Sequence, residues 1–285
     1  MSTIAIVGAG HLGGATAHAL AASDCVGRLL LIDAAALAAQ GKALDIRQSG
    51  AVSGFHTRLE GTDDLSGVTG CDVCVVADRF GADGTEWSGD EGLAMMKRVA
   101  GYLSGAPIVF AGASQAGLIA LAATEAGIDR RRLIGSAPEA LASSVVAIVA
   151  MEAGCSPREV MLTVLGAPQS GFVVPWTEAS IGGYPLQAVL SQVALNRVQA
   201  RMPHLWPPGP YCLGAAAARI AGALLSCSRQ SFSVLIQLGG EFGVRNRPGV
   251  VPARLASRGI VQTRVPELTT RERVQLQVAL GDWTS

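Results

Sequence analysis

Gly8, Gly10 and Gly13 stand in "IVGAGHLGGATA" at the spacing Gly-x-Gly-x-x-Gly, directly behind an apolar run and at the head of a helical stretch. The three differ in physical role. The first permits a tight turn, the second lets the backbone approach a pyrophosphate, and the third lets helix and strand pack closely. Asp33 strengthens the pattern. It closes the next apolar run, "RLLLID", twenty residues after Gly13, where a carboxylate can accept both ribose hydroxyls and would repel a 2′-phosphate. The chemistry expected is binding of NAD or another adenine nucleotide. His11 and Leu12, inside the loop, and Arg79, just past "DVCVVA", complete the candidate contacts. His11 also reads as a tolerated exposed residue, and Arg79 as a solvated loop arginine.

Other reactive side chains are sparse. There are four histidines, and His18 and His56 fall on helix and loop stretches without a neighbouring ligand set. No cluster has metal-ligand spacing, so no metal is expected. Cys71 and Cys74 have redox or zinc spacing, but "CDVCVVAD" reads as a buried strand whose alternation sends the two thiols to opposite faces. The six cysteines are irregularly spaced, and "MSTIAIVGAG" shows no leader; reduced thiols and a cytoplasmic location are the expectation. His204, in "RMPHLWPPGP", is a candidate acid; a helix-end histidine followed by Pro207 and Pro208 is its plainer reading.

The elements that must position these groups are visible as short apolar runs: 3–7, 28–33, 72–77, 107–111 and 132–135, separated by helix-length segments. Runs apolar on both faces call for a doubly wound parallel sheet of Rossmann type. After about residue 136 the pattern becomes α+β, with strands expected at 158–166, 231–240 and 249–257 and a buried core helix at 211–227. Two domains follow, a dinucleotide-binding one over 1–136 and a second over 137–285, sharing a packed interface. Apolar content of 49%, a mean hydropathy of +0.38 and balanced charge, 22 basic against 22 acidic residues, fit a folded globular protein with no field favouring nucleic acid or a membrane surface.

Through "IAIVGAGHLGGATA", "LLLID", "QGKALD", "GTDDLSG", "RRLIGSA" and "GGEFGV", the chain resembles the malate/lactate dehydrogenase family over nearly its whole length, most closely the malate type. The resemblance implies a Rossmann domain, a mixed substrate domain, NAD, and homodimers or homotetramers. It also implies reduction of a 2-keto acid by a histidine that donates a proton, an aspartate that orients it, and arginines that clamp carboxylates.

Those groups are missing where the family keeps them. The histidine motif matches "GAPQSGFVVP", with Pro168 or a neighbour at the donor's place; the orienting aspartate and substrate arginine match Leu141 and Ser144. The nicotinamide-positioning Thr-Asn-Pro turn matches "AGASQAG", with Ala113 for the asparagine. The lid segment "DRFGADGTEWSGDE" (78–91) carries five acidic residues against Arg79 alone, a net charge of −4, which would repel a dicarboxylate. The adenosine half of the NAD site survives and the catalytic half does not. The expectation is a pseudoenzyme, an NAD-binding relative with a regulatory or structural role. The alternatives are an oxidoreductase repurposed for a substrate that is not a keto acid, a still-active malate dehydrogenase, and a partner-binding scaffold without nucleotide.

Overall fold

A computed structural model of the chain describes residues 2–81, 86–168 and 170–281. Its first half alternates β1 (Thr3–Val7), α1 (His11–Ala22), β2 (Arg28–Ile32), α2 (Ala36–Ser53), β3 (Arg58–Thr62), β4 (Val73–Val76), α3 (Gly89–Tyr102), β5 (Ile108–Phe110), α4 (Ala116–Thr124) and β6 (Leu133–Gly135). These strands pair in parallel in the order β3-β2-β1-β4-β5-β6. Alternation along β1 explains why its run is apolar throughout. Ile4 and Ile6 enter one core with α1, while Ala5 and Val7 enter the other with α3 and α4.

The second half holds α5 (Ala137–Ala153), β7 (Val160–Met161), β8 (Leu165–Ala167), β9 (Gly171–Val173), β10 (Ser180–Ile181), β11 (Tyr184–Pro185), α6 (Leu186–Val189) and α7 (Gln192–Arg201), then α8 (Pro210–Ser226), β12 (Ser231–Gly239), β13 (Arg245–Ala256), β14 (Gly259–Thr263) and α9 (Thr270–Leu280). The sheet does not stop at residue 136. β12 pairs antiparallel with β6, and β13, β8 and β9 extend the same sheet beyond it. The single strand expected over 158–166 is two: β7 joins a small sheet with β10 and β11, and β8 joins the large one. The chain changes sheets between them, where Val164 donates to Ser233 Oγ at 2.9 Å.

The Cys71 and Cys74 expectation needs correction. β4 begins at Val73, so Cys71 lies outside the alternation, and both thiols pack in the same core. Burial pushes Cys71 up to about 11 and Cys74 well above the ordinary thiol range, which makes both poor nucleophiles at neutral pH.

α8 is the buried helix expected over 211–227, and it lies against α1, the helix that starts at the glycine loop. Its Gly214 makes the approach possible: a Cβ there would stand 2.8 Å from both the Ala15 carbonyl carbon and the Thr16 nitrogen. Gly214→Ala should therefore destabilise the protein by about 1–3 kcal/mol, since backbone cannot yield as a side-chain tip can. Gly222 of the same helix has only Cys25 Sγ, at 3.7 Å, in its way, so Gly222→Ala should stabilise by roughly 0.5–1 kcal/mol through helix propensity. Urea unfolding of the two variants should move the midpoint in opposite directions; equal shifts would refute this account of the contact.

Candidate functional site

β1 and β4 are neighbours, with Val7 beside Val76, and the connections from their carboxyl ends run to opposite faces of the sheet. This is the crevice at which open α/β sheets take ligands. The glycine loop after β1 and Asp78 after β4 consequently emerge side by side. Gly8 adopts a φ of +112°, and a Cβ there would meet the Asp78 carbonyl at 2.3 Å; one at Gly13 would meet the Gly8 carbonyl at 2.0 Å. The first and third glycines thus do what the spacing predicts, making a tight turn and a close helix.

Gly10 faces something else. A Cβ on it would lie 2.3 Å from the Asp78 carboxyl carbon. That carboxylate, on a residue only 4% exposed, accepts from Gly13 N at 2.8 Å and Leu12 N at 3.1 Å. It caps α1 at its second and third N–H groups from 66 residues away, on a helix whose N-cap, Gly10, has no side chain to do so. Lys42, from "QGKALD", donates to Gly10 O at 2.6 Å. Burial holds its ammonium below the ordinary lysine range, opposed by the carboxylates of Asp78 and Asp33. The loop therefore keeps a tight glycine turn, while the space beside Gly10 and the first N–H groups of α1 holds a carboxylate of the chain itself.

Asp33 directly follows β2, and its oxygens accept from Ala9 N, Phe80 N and Ala35 N at 2.8, 2.9 and 3.0 Å. Three backbone donors fix the carboxylate at the carboxyl end of β2. His11 is exposed at the first position of α1. Arg79 ion-pairs with Glu91 and lies 4.8 Å over the Trp87 ring.

The acidic segment is only in part the exposed surface that its charge count suggests: Asp90 and Glu91, at the start of α3, are exposed. Ala82, Asp83, Gly84 and Thr85 of the lid lie outside the described residues, as do Gln169 of "GAPQSGFVVP" and residues 282–285. Asp78 and Glu86 turn inward and face one another in an antiparallel bridge. Glu86 accepts from Ala113 N at 2.9 Å and Ser114 N at 2.7 Å, in the turn after β5, and Gly112 leaves the room for it. Beside it, Trp87 Nε1 and Gln115 Nε2 are buried without a hydrogen-bond partner among the described residues. Sequence reasoning misses Asp78, Glu86 and Lys42. The signal that could have found the first is the end of the fourth strand, since the residues just after it emerge beside the glycine loop in any sheet of this order.

Leu141 and Pro168, matched to the orienting aspartate and the proton donor, do come together: both line a cavity of about 720 Å³ between α5, β9, α7 and α9. The wall carries Phe172, Trp176 and Trp206, with Gln187, Gln192, Gln199 and Gln275 among its polar groups. Among the described lining residues there is no histidine, and Arg271 is the one cation. Glu272 is the one carboxylate, and both its oxygens are engaged, one by Trp176 N at 3.0 Å and the other by Thr269 N and Oγ1 at 2.9 and 2.8 Å. His204 is exposed in a short 3₁₀ turn, Met202–Leu205; its neighbours Pro203 and Trp206 line the cavity. Ser144 donates to Ala140 O at 3.0 Å within α5. No group of three or more His, Cys, Asp or Glu side chains among the described residues is placed to hold a metal ion. No described helix is long and apolar enough to cross a membrane.

Residues 2–84 match the sequence profile of the lactate/malate dehydrogenase NAD binding domain. Over 99% of its length the chain is 28% identical to a malate dehydrogenase of Thioalkalivibrio sulfidiphilus, covering 97% of that protein. Over 98% it is 24% identical to one of Salinibacter ruber, covering 93%. The solved malate dehydrogenase of Salinibacter ruber superposes with a TM-score of 0.86 at 22% identity, over 97% of this chain and 93% of that one. A lactate dehydrogenase of Cryptosporidium parvum, solved with lactic acid and nicotinamide adenine dinucleotide, superposes at 0.85 and 22%, over 96% and 93%.

Proposed function

Because this chain belongs to the malate/lactate dehydrogenase family and carries its NAD binding domain, we propose that it is a catalytically silent member with a regulatory or structural role. It is a malate/lactate dehydrogenase-like NAD-binding protein in which the machinery for reducing a 2-keto acid has gone. One observation carries the reading. The cavity shared by Leu141 and Pro168 presents no imidazole among its described lining residues, and its single carboxylate is bound to backbone and Thr269. Hydride delivery to a carbonyl carbon needs a proton at the oxygen, and the described wall holds no histidine to supply one.

The test is consumption of NADH with oxaloacetate and with pyruvate. The expected result is a rate below that of the malate dehydrogenases by a factor of about 10² or more; turnover at their pace would overturn the proposal. A second reading, an oxidoreductase repurposed for a neutral substrate, is favoured by the same cavity, whose four glutamines and two tryptophans suit an uncharged molecule with amide or hydroxyl groups. NADH oxidation with neutral aldehydes or imines as acceptors would support it.

A further inference from the structure

We propose that Asp78 is an internal anion that occupies the pyrophosphate position of the glycine loop, so that a dinucleotide binds only when this carboxylate is displaced. The inference rests on the reading of residues 2–84 as an NAD binding domain. In a turn of this kind the second glycine is free of a side chain so that a phosphate can reach the helix start. Here the volume left by Gly10 is filled by the Asp78 carboxyl group, 2.3 Å from where a Cβ would be. The N–H groups of Leu12 and Gly13 are already hydrogen-bonded to its two oxygens.

Three features mark an occupied anion site more than a simple cap. The carboxylate is buried. A lysine, Lys42, stands over the same loop and feels the charge of Asp78. The bridge partner of Asp78, Glu86, places a second carboxylate on the backbone N–H groups of Ala113 and Ser114, the corresponding turn two strands along the sheet from β1. One segment thus supplies anions to two rows of backbone donors at the carboxyl edge of the sheet. Pyrophosphate and Asp78 cannot share the Gly10 space, and like charges a few ångströms apart repel strongly in a buried setting.

Displacement lowers the apparent affinity by the fraction of molecules in which the loop is open. Calorimetric titration of the full chain with NADH, ADP and adenosine separates the terms. In the wild type, ADP should bind no tighter than adenosine, because its diphosphate meets the Asp78 carboxylate. In Asp78→Ala, NADH and ADP should gain about tenfold or more while adenosine is unchanged, the gain expected when a loop open in one molecule in ten becomes always open. Wild-type protein that prefers ADP to adenosine by that margin would overturn the proposal, as would a folded Asp78→Ala variant with unaltered NADH affinity. Should Asp78→Ala not fold, Asp78→Asn keeps the shape and removes the charge; a smaller gain in the same direction is expected, and none would refute the idea. Oxaloacetate turnover is a separate readout: its appearance in Asp78→Ala would sink the silent-member reading and leave this one standing.

Discussion

Oxaloacetate offered with excess NADH should be reduced at no more than about 10⁻² to 10⁻⁴ of the rate of a histidine-bearing relative, the factor a positioned proton donor contributes. The proton must arrive as negative charge builds on the carbonyl oxygen. Pro168 has no titratable group and Leu141 could not orient one, although both line the same cavity. Substrate binding adds to the deficit. A dicarboxylate needs bidentate partners, and Arg271 is the one cation among the described lining residues. Pro168→His alone should leave the rate at background, because an imidazole beside Leu141 has no carboxylate to fix its tautomer. Adding Leu141→Asp supplies that partner, so the double variant should exceed the single one. Urea unfolding must show each variant folded for the comparison to hold. A wild-type rate within about tenfold of a relative's would mean that a proton donor other than those on the cavity wall is at work.

Much of the scaffold is legible in the sequence, because its signals are local. The runs at 3–7, 28–33 and 72–77 are apolar on both faces, and only a sheet covered on both sides has use for that. Gly13 follows from sterics that act within a few residues, and Gly8 from the positive φ of the turn. The parts that are not legible depend on pairs distant in sequence. Asp78 counts as one of five lid acids until the order β1-β4 sets it beside Gly10. Glu86 looks like another surface charge until the turn at Ala113 and Ser114 is folded around it. The continuous sheet from β6 into β12 hides for the same reason, since its one bridge joins Leu235 to Gly135. Cys71 shows a smaller version of the problem: strand periodicity is a sound argument only from the residue at which the strand starts.

Glu139→Gln should abolish a pH dependence of stability that the wild type shows between about pH 4.5 and 7, worth about 3 kcal/mol at the conversion of 1.36 kcal/mol per unit. Glu139 sits in the first turn of α5, 6% exposed, between α8 and β12. Its oxygens accept from Ser233 N at 2.9 Å and Arg219 Nη1 at 3.0 Å. Burial dominates even so, and pushes the carboxyl up to about 7 against the pull of Arg219 and the Ser233 N–H. A folded-state value above the unfolded one means that the native protein binds the proton more tightly. The contribution to stability is therefore complete below about pH 4.5, declines as the pH rises, and is gone above about 7. Glutamine is neutral throughout and keeps a carbonyl for Ser233. Its mismatch with Arg219 is a constant, because the guanidinium stays charged over the whole range. The difference in unfolding free energy between wild type and variant, measured in urea at several pH values, should thus fall steadily with pH through this window. A difference independent of pH would show that Glu139 ionises in the folded chain as freely as in the unfolded one, and that Arg219, which also lies 5.4 Å over the Phe232 ring, compensates its burial in full.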